Sequence, residues 1–96
     1  MIKNKLDISK ATEAVKETRF IEALSLLESN LAKDPNHIES LYLAAVSSRY
    51  LKNYDDSKKY IESLLSNAPD MGRAYQELGH LSRDIGNEED LSLIHI

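Results

Sequence analysis

The stretch that decides the fold runs from Asn36 to Pro69 and reads NHIESLYLAAVSSRYLKNYDDSKKYIESLLSNAP. Its closing Pro69 stands 34 residues after Pro35. Between the two prolines, apolar residues recur at helical spacing on either side of a polar break at Lys52 and Asn53, which predicts two amphipathic helices joined by a tight turn. We interpret the stretch as one complete helical hairpin of a repeat array.

A first copy of this hairpin precedes the central one. A helix is predicted from Ile2 to about Thr18, and a second helix from Phe20 to Lys33. Pro35 ends the second helix, because the residue before a proline is biased away from helical backbone angles. The apolar stripe of the second helix follows the spacing of a buried face and consists of Phe20, Ala23, Leu24, Leu27 and Leu31.

A third copy follows the central hairpin. Its first helix is predicted from near Met71, its turn at Gly86 and Asn87, and the start of its second helix at Glu88. The third copy is predicted to be truncated within the second helix. In this frame the repeats cover residues 4–37, 38–71 and 72–90.

Residues 34 positions apart also match in size. Small residues form two columns in the first helices, and large residues alternate with small ones in the second helices. This alternation is what stacked hairpins need for side chains of one helix to fit between those of the next. The small columns are Ala11, Ala45 and Gly79, and Ala14, Ser48 and Ser82; the second-helix pairs are Phe20 with Tyr54, Ala23 with Ser57, Leu27 with Ile61, and Leu31 with Leu65.

The composition disfavours several classes of protein. The chain has 96 residues, 42% apolar and 29% charged, with no cysteine and a formal net charge of −4. Without cysteine there is no disulfide or thiolate metal site, which fits a reducing compartment. No run approaches the roughly 18 apolar residues of a membrane span, and the acidic balance disfavours a general nucleic-acid binder. The expected setting is the cytoplasm, with no membrane and no nucleic acid as partner.

The last six residues, LSLIHI, depart from the repeat pattern. They can be back-translated as CTG TCT CTT ATA CAC ATC, which resembles a transposase end sequence used as a sequencing adapter. One hypothesis is that Leu91 to Ile96 are adapter-derived rather than native, and that residues 1–90 are a fragment of a larger protein. The alternative is a genuine apolar tail that docks on the preceding helices. The codons from Leu91 onward distinguish the two.

The repeat pattern resembles the tetratricopeptide repeat. That motif has a large residue, then Leu-Gly or Ala, a small residue three positions on, an aromatic residue opening the second helix, and a closing proline. The resemblance covers about residues 4–90 and implies an all-α fold, a right-handed α-solenoid of about two and a half antiparallel hairpins. The residues that carry it are Leu41, Ala44, Ala45, Ser48, Tyr54, Ser57, Ile61 and Pro69 in the central copy, and Tyr75, Leu78, Gly79, Ser82 and Gly86 in the third.

The resemblance further implies that the first helices line a concave groove that binds a peptide or a partner domain. A downstream domain of the same chain is an alternative partner. Groove arginines and tyrosines would suit an acidic or carboxylate-bearing peptide, and both Arg49 and Arg83 are expected at the surface, where substitutions cost little stability. The alternative is a solvated face whose arginines pair with neighbouring acids such as Glu77 or Asp84. The candidate groove residues are Lys16, Tyr42, Arg49, Tyr50, Arg73, Gln76, His80 and Arg83, with Lys5, Thr12, Glu39, Val46 and Asp84 beside them.

No catalytic residue, cofactor or metal site is predicted. The three histidines, His37, His80 and His95, do not form a pair with metal-ligand spacing, and the chain has no nucleophile motif or phosphate-binding loop.

A second function remains open, in which the repeats precede the catalytic domain of an enzyme. The run GRAYQELGHLSRDIGNEED is similar to repeats ahead of the catalytic domain in repeat-containing sulfotransferases, a match that rests on Gly72 to His80.

Overall fold

The computed structural model describes residues 8–94, with side chains for residues 8–88. Successive helices pack on each other, and α1 and α5 also contact α3, which lies between them. This stack of antiparallel hairpins confirms the prediction of an all-α helical-repeat fold. The helices are α1 (Ser9–Lys16), α2 (Phe20–Lys33), α3 (Ile38–Tyr50), α4 (Tyr54–Asn67) and α5 (Gly72–Ile94).

The first two hairpins turn in the same way. Thr18 and Lys52, 34 residues apart, both adopt the left-handed backbone conformation, with φ of 60° and 65°. In each turn the next amide donates to the carbonyl five residues back, Arg19 to Ala14 and Asn53 to Ser48, both at 2.8 Å. This bond closes the helix end and reverses the chain within three residues. The predicted turn at Lys52 and Asn53 is confirmed.

The core lies between the hairpins and is built mainly on α3. This helix is buried on nearly every side from Ser40 to Arg49, because α2 and α4 cover it along its length and α1 and α5 pack at its flanks. Small residues at the crossings let the helices approach closely. The fully buried apolar residues include Ala11, Ala14, Ala23, Leu27, Ala44, Ala45, Leu64 and Ala74.

The predicted C-terminal end of the first helix differs from the structure. The first helix ends at Lys16 rather than Thr18, because Thr18 forms the left-handed turn; residues 2–7 of its predicted span lie outside the described residues.

The predicted turn at Gly86 and Asn87 is wrong, since α5 runs without interruption from Gly72 to Ile94. In the repeat frame Gly86 is equivalent to Thr18 and Lys52, yet its φ is not positive. A second helix starting at Glu88 would carry glutamate where the others carry Phe20 or Tyr54, so no aromatic residue would anchor it to the core. Continuing the helix keeps its backbone hydrogen bonds, and glycine in a helix costs only about 1 kcal/mol relative to alanine.

Candidate protein-binding face

The candidate site is the surface built by the first helices, α1, α3 and α5, which we call the first-helix face. On α5, one row of side chains at helical spacing runs along this face and consists of Arg73, Gln76, His80 and Arg83. Next to the row, a cavity of about 270 Å3 opens between the end of α3, the start of α4 and α5. Its lining combines two tyrosines with charges of both signs: Arg49, Tyr50, Lys52, Tyr54, Asp84, Asn87 and Glu88.

A buried ion cluster joins α3 to α5 beneath this face. The Arg49 guanidinium donates to both carboxylate oxygens of Glu77, through Nε and through Nη2, and its Nη1 donates to Asp84 Oδ2 at 2.9 Å. Arg49 is only 7% exposed and Glu77 only 3%. A planar guanidinium that meets two carboxylates fixes orientation as well as distance. The cluster therefore sets the position of α5 against α3.

Burial and hydrogen bonding shift the pKa values of two residues of the cluster, Arg49 and Asp84. Burial lowers the pKa of Arg49, but the hydrogen bonds to Glu77 and Asp84 outweigh burial and raise that pKa above its ordinary value. The hydrogen bond from Arg49 lowers the pKa of Asp84, against the opposing effect of burial. Both shifts favour the charged forms. Arg49 and Asp84 therefore form an ion pair at neutral pH.

The pKa of Asp84 predicts an acid limb in the stability of the protein. A carboxyl group with a lowered folded-state pKa stabilises the fold above its ordinary pKa of 3.8, and this contribution disappears as the pH falls through the folded-state pKa. Asp84→Asn should reduce stability at pH 7 and flatten the fall in unfolding free energy below about pH 4, as urea titrations from pH 7 to pH 2 would measure. Asp70→Asn, at an exposed position between helices, controls for the loss of one carboxylate. An unchanged acid limb in Asp84→Asn would contradict the assignment.

Two aromatic and arginine stacks lie on the first-helix face. Tyr50 stacks on Phe20 of α2 with ring centroids 4.7 Å apart and planes 4° from parallel, and the Arg49 guanidinium lies 4.6 Å from the Tyr50 centroid. Tyr50 nevertheless remains 56% exposed. Arg73 lies 4.6 Å from the centroid of Tyr42 and also donates to Glu39 Oε2 at 2.5 Å. Each stack combines an apolar surface with a cation already held in place.

The structure brings most of the predicted groove residues together. Tyr42, Arg49, Tyr50 and the α5 row lie on adjacent parts of α3 and α5, whereas Lys16 is exposed on α1 next to a separate cavity that Thr12 also lines. Val46 is buried, and Lys5 lies outside the described residues.

The expectation that Arg49 lies at the surface is wrong. Its position on α3 faces the core, and the apolar surroundings are tolerable only because two carboxylates neutralise its charge. The other two predicted groove arginines also pair with acids, Arg73 with Glu39 and Arg83 with Asp84 at 3.4 Å, but both remain at least half exposed. The pairing with Glu77 and Asp84 that the sequence offered as an alternative is therefore observed for Arg49.

Sequence reasoning named Glu77 as an arginine partner but missed its burial. The available signal was its place on α5, three residues after Ala74 and four before Leu81, where an apolar residue is expected. An acidic residue inside an apolar stripe requires a buried cation, and Arg49 occupies the corresponding side of α3. In the part of the chain that the structure describes, no cluster of His, Asp or Glu could hold a metal ion.

Comparison with families of known proteins shows where this chain belongs. The family model described as the coatomer epsilon subunit matches residues 3–76, which is most of the chain. The chain belongs to the coatomer epsilon subunit family. The matched residues contain both complete hairpins and the start of α5, so membership in the coatomer epsilon family agrees with a helical-repeat scaffold. Curated proteins and solved structures gave no significant match. None of the helices within residues 8–94 is both long and apolar enough to cross a membrane.

Proposed function

We propose that this chain is a non-enzymatic scaffold that binds a protein partner along its first-helix face, as a subunit of a coat assembly in the cytoplasm. The observation that carries the proposal is a pair of stacks that leaves Tyr50 and Arg73 at least half exposed. Tyr50 stacks on Phe20 and on the buried Arg49, and Arg73 stacks on Tyr42. Tyrosine and arginine are the residues that contribute most often to binding energy at protein interfaces. Because these side chains are already fixed, a partner orders few of them on binding.

The partner segment is proposed to be acidic. Arg73 and Arg83 are at least half exposed, and each is held by one carboxylate, so each guanidinium retains donors for an incoming carboxylate. Gln76 and His80 lie between them in the same row and can donate or accept hydrogen bonds. Arg49 has a different role, because its donors are used inside the ion cluster. It holds the face in shape, and Arg73 and Arg83 contact the partner.

The double variant Arg73→Glu with Arg83→Glu tests this division of roles. It should weaken capture of the other coatomer subunits from a cell extract by about 10-fold or more, because it places two carboxylates where the acidic segment binds. Helical content and the thermal midpoint should stay close to those of the wild type, since both side chains are exposed. Quantitative pull-down and circular dichroism measure the two effects.

The matched control is Arg19→Glu, which reverses an exposed arginine at the turn between α1 and α2. It should retain capture. Capture that is equally strong in the double variant would reject the first-helix face as the binding site. Capture that does not weaken as salt is raised from 50 to 300 mM would reject an acidic partner, because exposed charge pairs are screened at these salt concentrations.

The alternative of an enzyme appendage, such as the repeats of a sulfotransferase, gains no support from the comparisons. It rests on the likeness in Gly72 to His80, most of which the coatomer epsilon match also covers. The complete reading frame distinguishes the two, because a catalytic domain would add a phosphate-binding loop that the present residues lack.

A further inference from the structure

The cavity between α3, α4 and α5 arises where two equivalent junctions of the repeat differ. In the junction of the first two hairpins, Tyr50 of α3 stacks on Phe20 of α2 with the ring planes 4° apart. Counting 34 residues onward from these two gives Asp84 of α5 and Tyr54 of α4, and both line the cavity of about 270 Å3. Because aspartate has no ring, the cavity corresponds to the space that Tyr50 fills in the preceding junction.

Tyr54 gives the cavity a fixed apolar wall. It packs on a buried apolar cluster to which α3, α4 and α5 each contribute, and its side chain is half-buried. Tyr50 also lines the cavity and is held in place by Phe20. Neither ring has to be ordered when a ligand enters. The stack of Tyr50 on Phe20 is the precedent for a planar group that lies against this position of the repeat.

Two carboxylates supply the polar side of the cavity. Asp84 Oδ2 accepts from Arg49 at 2.9 Å, whereas Asp84 Oδ1 accepts from Arg83 at the long distance of 3.4 Å. Glu88 pairs with Lys52 at 3.3 Å, and both of these side chains are exposed. Exposed pairs contribute little free energy, so an incoming donor can replace Lys52 or Arg83 at small cost.

The charge around the cavity is negative once the buried ion pair is counted. Arg49 lines the cavity, but its charge is met by both carboxylate oxygens of Glu77. The remaining charged residues of the lining are Lys52, Asp84 and Glu88, one cation against two carboxylates. The lining therefore favours a ligand with a positive charge.

We propose that the cavity binds an arginine side chain of a protein partner. Arginine combines the two features that the lining requires, a planar surface that stacks on an aromatic ring and a cation with several donors for carboxylates. Its guanidinium would lie against Tyr54 and donate to Asp84 Oδ1 and to Glu88.

Other side chains match only part of the lining. An aromatic ring would fill the space, but it would take Asp84 and Glu88 away from water without supplying a hydrogen bond. A lysine would supply the charge, but its ammonium group is compact and strongly hydrated and does not stack on a ring. A carboxylate would lie close to two groups of like charge.

The test titrates the 15N-labelled full chain with a blocked pentapeptide that has arginine between two pairs of glycines, and follows the amide signals by NMR. The arginine peptide should cause saturable shift changes near Tyr54, Asp84 and Glu88. A peptide with lysine in place of arginine should bind about 5-fold more weakly, because lysine cannot stack. A peptide with citrulline, which is planar but uncharged, should cause no saturable change, because the carboxylates then meet no cation.

Two pairs of variants test the lining itself. Glu88→Gln should weaken binding of the arginine peptide by about 5-fold, because it removes one carboxylate, and Glu62→Gln, at an exposed position of α4, should not. Tyr54→Leu should weaken binding because no ring remains to stack on, and Tyr54→Phe should retain it, since phenylalanine occupies the equivalent position of α2. Circular dichroism checks that each variant is folded. Because Glu88 is exposed, Glu88→Gln keeps the test decisive even if Tyr54→Leu unfolds.

Equal binding of the citrulline and arginine peptides would overturn the proposal. So would shift changes from the arginine peptide that are spread over the whole acidic surface, or that are undiminished in Glu88→Gln. The lining does not include Arg73. Arg73→Glu should therefore bind the arginine peptide as the wild type does, which separates this cavity from the site proposed for the acidic segment.

Discussion

Replacing Arg49 with methionine is expected to lower the free energy of unfolding by about 3–5 kcal/mol, the usual cost of removing one partner from a buried ion pair. The loss of stability comes from the carboxylate that remains buried after the arginine is removed. Glu77 is 3% exposed, and without Arg49 its carboxylate would be buried with no cation against it. Methionine keeps most of the apolar volume of the arginine stem, so the effect reports on the charge more than on packing. Urea denaturation followed by circular dichroism measures the change.

Two further variants separate the ion cluster from a general effect of losing arginine. Arg19→Met removes an arginine that also pairs with two acids, Glu17 and Glu22, but at an exposed turn, and it should leave the thermal midpoint nearly unchanged. Adding Glu77→Met to Arg49→Met should restore much of the lost stability, because no unpaired charge then remains deeply buried. If Arg49→Met alone unfolds at the wild-type urea concentration, the cluster does not hold α5 against α3.

The helical hairpins of this protein could be predicted from sequence because local and repeated signals agree. The bounds of α2 follow from its apolar stripe and from Pro35, and the predicted span of Phe20 to Lys33 is confirmed. The turn before Tyr54 is marked by the polar pair Lys52 and Asn53, and the 34-residue period assigns the same role to the turn before Phe20. Periodicity works here because each hairpin meets nearly the same neighbours as the previous one.

The third copy could not be predicted in this way because its surroundings differ. Gly86 is the residue best suited to a left-handed turn in any of the three copies, and the local signal for a turn is accordingly strong. A turn is stable only if the chain that follows it finds a surface to pack on. After Gly86, Glu88 and Leu91 stand at the positions where α2 and α4 carry an aromatic and a small residue, so helix continuation is favoured over the local preference for a turn.

On the first-helix face too, some features could be predicted from sequence and others could not. The positions of Tyr42, Tyr50, Arg73 and Arg83 follow from helical spacing, because it fixes which residues share a face. The burial of Arg49 does not follow from helical spacing, because it depends on Glu77 and Asp84, which lie 28 and 35 residues further along the chain. Helical spacing within α3 contains no information about what α5 places opposite it. A pair of opposite charges on core-facing positions of neighbouring helices is the signal that would have revealed the cluster.

The chain's resistance to unfolding depends equally on the apolar contacts of α4, where Leu64 provides the second large test. Leu64 is fully buried, in a cluster with Leu41 of α3 and Ala74 of α5, so one side chain joins three helices. Leu64→Ala should lower the free energy of unfolding by about 2–5 kcal/mol, through lost burial and through the cavity left behind. A domain of this size is typically stable by about 5–15 kcal/mol, so the variant is expected to melt well below the wild type.

The neighbouring residue gives the matched control for that result. Leu65 has the same side chain, one position along α4, but is only half-buried, so Leu65→Ala should cost clearly less than Leu64→Ala. Thermal denaturation of both variants, with urea titrations for the free energies, tests the order. Equal losses would mean that the two leucines are buried to similar extents and that the register of α4 on α3 differs from the one described.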